Sequence, residues 1–460
     1  MTKKLWGGRF KKEVNREFFE FQKSIGYDYK LAEEDILHSM IHVVVLRKSD
    51  ILSPAEEKRL LAALEEVNKE IKEGIRENRY RPVAGAEDIH TDIQNRVEHK
   101  VGTLAAKLHA LRSRNDQVVF DEKYYCLRAA QDIRALLLNL LGNLLFLMKK
   151  YPEQPFVGYT HTQRAQAILF RHYLGAFFHM FERDNEQLKR FHHNVFLYIG
   201  AGALAGSHLR REDYNKAIKE LISQGLGFEK IQSVENSLDN VSNRDFIIEF
   251  MSILSVVQMH LSRLAEDLIL YSTQEFNFVD LPEEFCTGSS LMPHKKNPDF
   301  LELIRGYTGM IYGNLVAVLT TMKGLPLTYD RDMQLNKKPL FSSVETIKDE
   351  LKILPEFLKK LKLNNDVIAR ALEAKSLYAT ELAEFLVCNK QVPFRDAHTL
   401  VGKMIRYAED KGKQIDSLSD AELKKFCPSL TRGIIKTVMN PRYAIASKKS
   451  ISHKNPRIRS

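Results

Sequence analysis

The segment from Gly288 to Asp299, GSSLMPHKKNPD, brings two hydroxyls and two ammonium groups into one short loop. Ser289 and Ser290 follow a glycine, and Lys295 and Lys296 precede Asn297-Pro298-Asp299. Asn is favoured as a helix N-cap, Pro at the first helical position and acids in the first turn, so the segment reads as a loop running into the start of a helix with Asn297 as its cap. Free backbone N–H groups, the positive helix end and the two lysines together make a site for a carboxylate. A serine in that field has its alkoxide stabilised, which a hydroxyl needs before it can act as a base.

Two more polar clusters interrupt an otherwise apolar framework. Arg112-Ser113-Arg114-Asn115-Asp116-Gln117, taken alone, reads as a solvated turn between helices. Gly158 to Arg164, GYTHTQR, falls where prolines end one helix and the next begins. There His161, beside Thr160 at the expected mouth of a helix, is an acid/base candidate. The four cysteines are far apart, with no CxxC pair and no zinc-ligand spacing, so neither a metal site nor a disulfide framework is expected. Cys286, near the serine loop, reads as a packing residue.

The elements that must position these residues follow from the spacing of proline and of apolar side chains. No proline occurs between Pro82 and Pro152 or between Pro155 and Pro282, which suits long helices because an interior proline costs about 3 kcal/mol. Ile133, Leu137, Leu140, Leu144 and Met148 recur at helical spacing, as do Phe246, Phe250, Ile253, Val257, Leu261, Leu264 and Leu268. Ser242 and Asp245 are spaced as a capping box for the second run. Long helices are predicted over 123–150, 163–198, 243–274, 299–322 and 345–362. Such helices need one another to bury their stripes, so the expected fold is all-α around an elongated bundle. The expected organisation is an N-terminal helical domain over 1–110, a central bundle over 111–363 and a small helical domain over 364–460.

Composition excludes little beyond disorder: 44% hydrophobic and 28% charged residues are ordinary for a globular chain of 460 residues. No stretch of about 18 uninterrupted apolar residues is present, so no membrane span is expected. The N-terminus lacks the apolar centre of a secretory signal, and a cytoplasmic location is expected. The net charge of +10 is spread along the chain, with a local excess only in the tail from Lys448 to Arg459. That tail reads as solvated rather than as a nucleic-acid site, and the overall charge suits attraction of a small polycarboxylate.

The chain resembles the argininosuccinate lyase family of the fumarase/aspartase superfamily, whose signature is similar to GSSLMPHKKNPD. The likeness extends to KLWGGRF from Lys4 to Phe10, AEDIH at 86–90, KLHALRSRNDQ at 107–117, GYTHTQRAQ at 158–166 and GALAG at 202–206. NSLDNVSNRDF at 236–246, RLAEDLILYS at 263–272, KGLPLTYDRDMQ at 323–334 and VPFRDAH at 392–398 continue it. The resemblance implies a three-domain fumarase/aspartase-like fold and elimination of arginine from argininosuccinate to leave fumarate, the final step of arginine biosynthesis. It implies no cofactor, no metal, and a homotetramer in which each site is assembled from three subunits. It places Ser289 as the proton-abstracting base and His161 as the other acid/base residue, while which of the two takes the carbon-bound proton stays open. Glu302 matches the carboxylate that holds the histidine, and Lys295 and Asn297 match groups that bind the substrate carboxylate and stabilise the intermediate. Ser24, Asn115, Thr160, Tyr329, Gln334 and Lys337 match substrate-contacting positions, with Arg114 and Arg244 as further candidates.

Some positions depart from the family pattern. Tyr198-Ile199-Gly200-Ala201 precedes GALAG, Thr162 and Ala167 alter GYTHTQRAQ, Leu335-Asn336 replaces an acidic pair and His294 stands in the serine loop. None removes an inferred catalytic group. Adenylosuccinate lyase, fumarase and aspartase share the serine loop, and KLWGGRF, RSRNDQ and the GYTH context are what separate the argininosuccinate branch from them. A structural protein on the same scaffold, as in the δ-crystallins, is the remaining alternative; retention of Ser289, His161, Lys295 and Glu302 favours an enzyme.

Overall fold

The computed structural model describes residues 14–223, 230–452 and 454–458, together with Lys12. The KLWGGRF stretch and the end of the basic tail lie outside the described residues. Short helices α1 (Arg16–Gln22) and α2 (Ile25–Asp28) lead into α3 (Ala32–Lys48), α4 (Pro54–Arg76), α5 (Ile89–Val101) and the long α6 (Arg114–Lys150). A hairpin of β1 (Pro155–Thr160) and β2 (Gln163–Leu169) precedes α7 (Phe170–Asn194). Then come β3 (Leu197–Ile199), α8 (Arg211–Ser223), β4 (Ile231–Ser233), α9 (Ser237–Ser242) and α10 (Asp245–Ser272). Strands β5 (Val279–Asp280), β6 (Thr287–Gly288) and β7 (Lys296–Asn297) lead to α11 (Asp299–Met322), α12 (Lys337–Lys360) and β8 (Lys362–Leu363). Helices α13 (Asn365–Ala371), α14 (Ala379–Lys390), α15 (Phe394–Asp410), α16 (Asp420–Lys424), α17 (Arg432–Val438) and α18 (Pro441–Ser447) close the chain.

Two compact units form: residues 1–134, 186–256 and 309–348 make the first, and residues 135–185, 257–308 and 349–460 the second. The strands pair only two by two, so the fold is all-α with small strand clips. The predicted stripe on α6 is fully buried from Ile133 to Met148, and that on α10 is buried except for the half-buried Ile253. By length and composition α6 and α10 reach the apolarity of a membrane span, yet 44% and 56% of those windows are inside the fold. That is the behaviour of bundle helices.

Three expectations are corrected. The run 163–198 is not one helix, because Gln163 to Leu169 pairs antiparallel with Pro155 to Thr160 and the helix begins only at Phe170. The sequence hid this because the two-residue turn is His161-Thr162, not the Asn-Gly or Asp-Gly that normally marks a hairpin. The Ser242 capping box does not form: that hydroxyl donates to the Asp239 carbonyl inside α9, 3.1 Å away. Asn297 is a strand residue, and Pro298 supplies the carbonyl that opens α11, accepting from the Glu302 N–H at 3.0 Å.

The hairpin rests on an aromatic cluster in the second unit. Phe156, which is fully buried, lies 5.3 Å from Phe170, 5.3 Å from Tyr271 and 5.6 Å from Phe278 between ring centroids. Phe156→Ala is expected to cost about 3–5 kcal/mol, read as a drop in the thermal unfolding midpoint; an unchanged midpoint would show that the cluster does not hold the hairpin.

Candidate active site

In the second unit the serine loop, residues 289–295, stands on the β6–β7 ladder, in which Thr287 pairs with Asn297 and Gly288 with Lys296. Asp299 locks the base of the loop by accepting from the Thr287 amide at 3.2 Å and its hydroxyl at 2.6 Å. Asn297 donates to the same hydroxyl at 3.4 Å. At the head of the loop the half-buried Ser289 Oγ accepts two backbone N–H groups, from Leu291 at 3.3 Å and Met292 at 3.0 Å. Donors aimed at an oxygen stabilise its ionised form. The two lysines have different employments. Lys296 is tied to Asp280 at 2.8 Å, whereas Lys295 makes no ion pair among the described residues.

His161 sits at the tip of the β1–β2 hairpin, exposed, with φ 52°, and Thr162 follows at φ 58°. Left-handed backbone costs an L-residue about 1–2 kcal/mol, and a β-branched residue there is a genuine outlier. Thr162 helps to hold the turn by donating its hydroxyl to the His161 carbonyl at 2.6 Å. Next to the turn the register slips between Gly158 and Tyr159, so Ala165 bulges from β2. Bulges of this kind re-aim side chains beside functional sites. The histidine is therefore on a hairpin and not at a helix mouth. Among the described residues it makes no side-chain hydrogen bond, and Glu302, exposed in the first turn of α11, does not bond to it. Thr160 is exposed beside it as the last residue of β1.

The first unit gathers the remaining candidates in a buried polar nest. Ser24 donates to Asp28 Oδ2 at 2.6 Å and accepts from Gln334 at 3.4 Å. Asp28 also accepts the Ile89 N–H at 3.1 Å and lies 3.6 Å from Lys337 Nζ. Burial works against the Lys337 charge, but the Asp28 and Glu122 carboxylates outweigh it and hold its pKa above the usual value. Even so, among the described residues the buried Lys337 ammonium has no hydrogen-bond partner, and neither does Gln334 Oε1. Buried polar groups are rarely left unpaired, so these atoms are open to a ligand's polar groups. Burial raises the Tyr329 hydroxyl pKa against the pull of Lys337 and Arg244, which places that hydroxyl in the same field.

Arg112 to Gln117 is the opposite of the solvated turn expected. Arg112 donates to Ser39 at 2.9 Å, and Arg114 pairs with Asp88. Asn115 donates to the Ala203 carbonyl at 3.0 Å, and Asp116 accepts the Gly200 N–H at 2.9 Å. Burial pushes Asp116 up to about 6 although the amides of Gly200, Ala201 and Gly202 pull the other way. The segment thus docks the GALAG loop. Arg244 is wholly buried and committed to Glu122 at 2.7 Å. The basic tail also begins pinned rather than solvated, because Lys448 pairs with Glu381 and Glu384.

Sequence reasoning missed Asp28, Asp88 and Asp116 as positioning groups. Asp28 stands four residues after Ser24 on one short helix, and Asp88 precedes α5 as an N-cap bonded to the Thr91 N–H at 2.8 Å; both signals were readable. Among the described residues, one group has metal-ligand spacing: Asp35, His90 and Asp121, all buried. His90 Nδ1 lies 3.0 Å from Asp35 and 3.5 Å from Asp121. Burial and the nearby Asp35 and Glu34 charges hold Asp121 far above the usual carboxylate range.

Comparison with known proteins identifies the family and the fold. A family model described as Lyase matches residues 8–313, and one described as Argininosuccinate lyase C-terminal matches residues 376–446. The chain is 43% identical over 435 residues to the argininosuccinate lyase of Carboxydothermus hydrogenoformans, covering 94% of this chain and 92% of that protein. It is 44% identical over 423 residues to that of Clostridium kluyveri, covering 92% and 94%. A class II fumarase from Schistosoma mansoni superposes with a TM-score of 0.75 at 16% identity, covering 90% of each chain. A variant of EDDS lyase with bound fumarate gives 0.74 at 21% identity, covering 95% of this chain and 86% of that one. At those identities the two structures speak for the fold.

Gly202 bridges to Gly206 with φ 58°, and a Cβ there would lie 2.3 Å from the Gly206 carbonyl oxygen. Gly202→Ala is expected to displace the GALAG loop and lower the thermal midpoint by several degrees; an unaltered midpoint would contradict the close approach.

Proposed function

The chain belongs to the argininosuccinate lyase family, and from that premise we propose how its residues divide the work. The enzyme is a carbon–nitrogen lyase that eliminates L-arginine from argininosuccinate, leaving fumarate, as the last step of arginine biosynthesis. Ser289 takes the proton from the carbon beside a carboxylate. That electron pair is first delocalised into the adjacent carboxylate; it then becomes the new carbon–carbon double bond as the carbon–nitrogen bond breaks, and His161 gives the departing guanidino nitrogen its proton. The intermediate is an aci-carboxylate dianion, which needs fixed positive charge and N–H donors where its charge develops.

One observation carries the reading: Ser289 Oγ accepts two backbone N–H groups in a loop that also carries Lys295, which makes no ion pair among the described residues. Lys295 and Asn297 take the carboxylate next to the reacting carbon. Lys337, Ser24, Gln334 and Tyr329 take the substrate's other polar groups, and Asn115, Thr160 and Arg114 line the approach. Argininosuccinate is a small polycarboxylate, so nucleic acid and membrane have no part in this proposal, and a cytoplasmic location goes with it.

Full sites are proposed to form in a homotetramer, the Glu302 of one subunit holding the His161 of another. The face of α11 supports that arrangement. Leu303, Tyr307 and Met310 form one exposed stripe and Tyr312, Val316 and Leu319 a second, on a helix with few charges. An apolar helix exposed on most of its perimeter is an interface.

Purified protein should release fumarate from argininosuccinate, followed by ultraviolet absorbance, and leave adenylosuccinate, malate and aspartate intact. Preference for one of those three would refute the substrate. Ser289→Ala and His161→Asn should each lower turnover about 10²–10⁴-fold, the usual worth of a positioned acid or base. Lys295→Met should do comparable damage while Lys296→Met, which only loses a tie to Asp280, stays within a few-fold; the reverse order would displace Lys295 from its role. Subunits carrying Ser289→Ala mixed with subunits carrying His161→Asn should regain part of the activity after exchange. No recovery from exchanged subunits would argue for sites built within one chain.

A further inference from the structure

The hairpin that presents His161 has a turn that its own residues disfavour, with φ 52° at His161 and 58° at the β-branched Thr162. Something beyond the turn has to hold it, and in the second unit the C-terminal helices grip β2 a few residues away. Glu381 on α14 is 1% exposed, and its Oε1 accepts from Gln166 Nε2 of β2 at 3.1 Å. The same oxygen lies 3.2 Å from Lys448 Nζ at the end of α18, and Lys448 also reaches Glu384 at 2.5 Å. Arg164, two residues before Gln166, adds a bond to the Ala371 carbonyl at 3.4 Å. Gln166 faces Gly158 across the ladder, where a Cβ on residue 158 would stand 3.1 Å from the Gln166 carbonyl oxygen. The bulge that re-aims the turn lies next to this pair.

We propose that Glu381 is a positioning residue for the elimination: through Gln166, and anchored by Lys448, it fixes the β1–β2 hairpin so that His161 points at the leaving nitrogen. A buried carboxylate is a costly way to join two elements when apolar packing would serve, and its surviving use is to fix orientation. Here the aromatic cluster under Phe156 supplies adhesion, while the Glu381 bond supplies direction. The hydrogen bond joins one side-chain atom of β2 to one of α14, so sliding the hairpin by a residue breaks it. This inference rests on the reading of His161 as the acid.

The test uses the full-length assembled enzyme and compares Glu381→Ala, Glu381→Gln, Gln166→Leu and His161→Asn, with kcat and KM for argininosuccinate, the pH profile of kcat and the thermal midpoint for each. Misplacing a catalytic group by about 1 Å costs up to about 100-fold, so Glu381→Ala and Gln166→Leu should lower kcat about 10- to 100-fold with KM changed less than about threefold. Glu381→Gln keeps an oxygen for Gln166 and should recover most of the rate. Residues that act through one another are not additive, so Glu381→Ala combined with His161→Asn should be no slower than His161→Asn alone. Additive losses, or a fall in kcat that only tracks a fall in thermal midpoint, would make Glu381 a structural staple and overturn the proposal. If Glu381→Ala does not assemble, Gln166→Leu removes the same bond from the other side and decides the matter. Near-normal turnover by His161→Asn would instead sink the reading of the histidine, a result distinct from any outcome at Glu381.

Discussion

An oxygen that already accepts two backbone N–H bonds gives up its proton at lower cost, because the anion it becomes finds its donors in place. Ser289 is held in that state by the amides of Leu291 and Met292, and much of the surrounding structure maintains the geometry. The β6–β7 ladder sets the width of the loop, and Asp299 fastens its base through Thr287. Lys296 is used up on Asp280, so the loop's uncommitted positive charge is that of Lys295. Loosening any of these lets the amides turn away and returns the serine to an ordinary hydroxyl.

The two units hold different parts of the proposed chemistry. The residues proposed to move protons are displayed at the ends of small strand clips in the second unit: Ser289 on the β6–β7 loop and His161 on the β1–β2 turn. Residues suited to grip polar substrate groups are buried in the first unit, where Lys337 and Gln334 keep atoms without partners. The contrast has a physical logic. Gripping groups gain strength from burial, since a low dielectric strengthens a charge-assisted bond. Groups that transfer protons must reach out and be re-aimed, and a strained turn with a bulge beside it can do that.

Much of this was legible in the chain. Helix α11 was read at its observed limits, and the stripes of α6 and α10 are buried as their spacing required. What the sequence concealed was local and had local causes. The β1–β2 hairpin reads as helix because His161-Thr162 carries no glycine or asparagine, the residues that relieve left-handed backbone. Arg112 to Gln117 looks like a solvated turn because six polar residues give no sign that Asp88 and the Gly200 amide wait for them. The contacts of Glu381 with Gln166 and of Arg244 with Glu122 span hundreds of positions or more than a hundred, and no periodicity reports such pairs.

A crystal structure of the assembled Ser289→Ala enzyme with uncleaved argininosuccinate bound would test the central claim most directly. The account predicts that the substituted position faces the carbon that loses its proton, at the distance that lets a restored hydroxyl reach within about 3–3.5 Å, with the Leu291 and Met292 N–H groups directed at the same point. A bound substrate whose carbon faced another base, with the loop and its amides turned away, would contradict it.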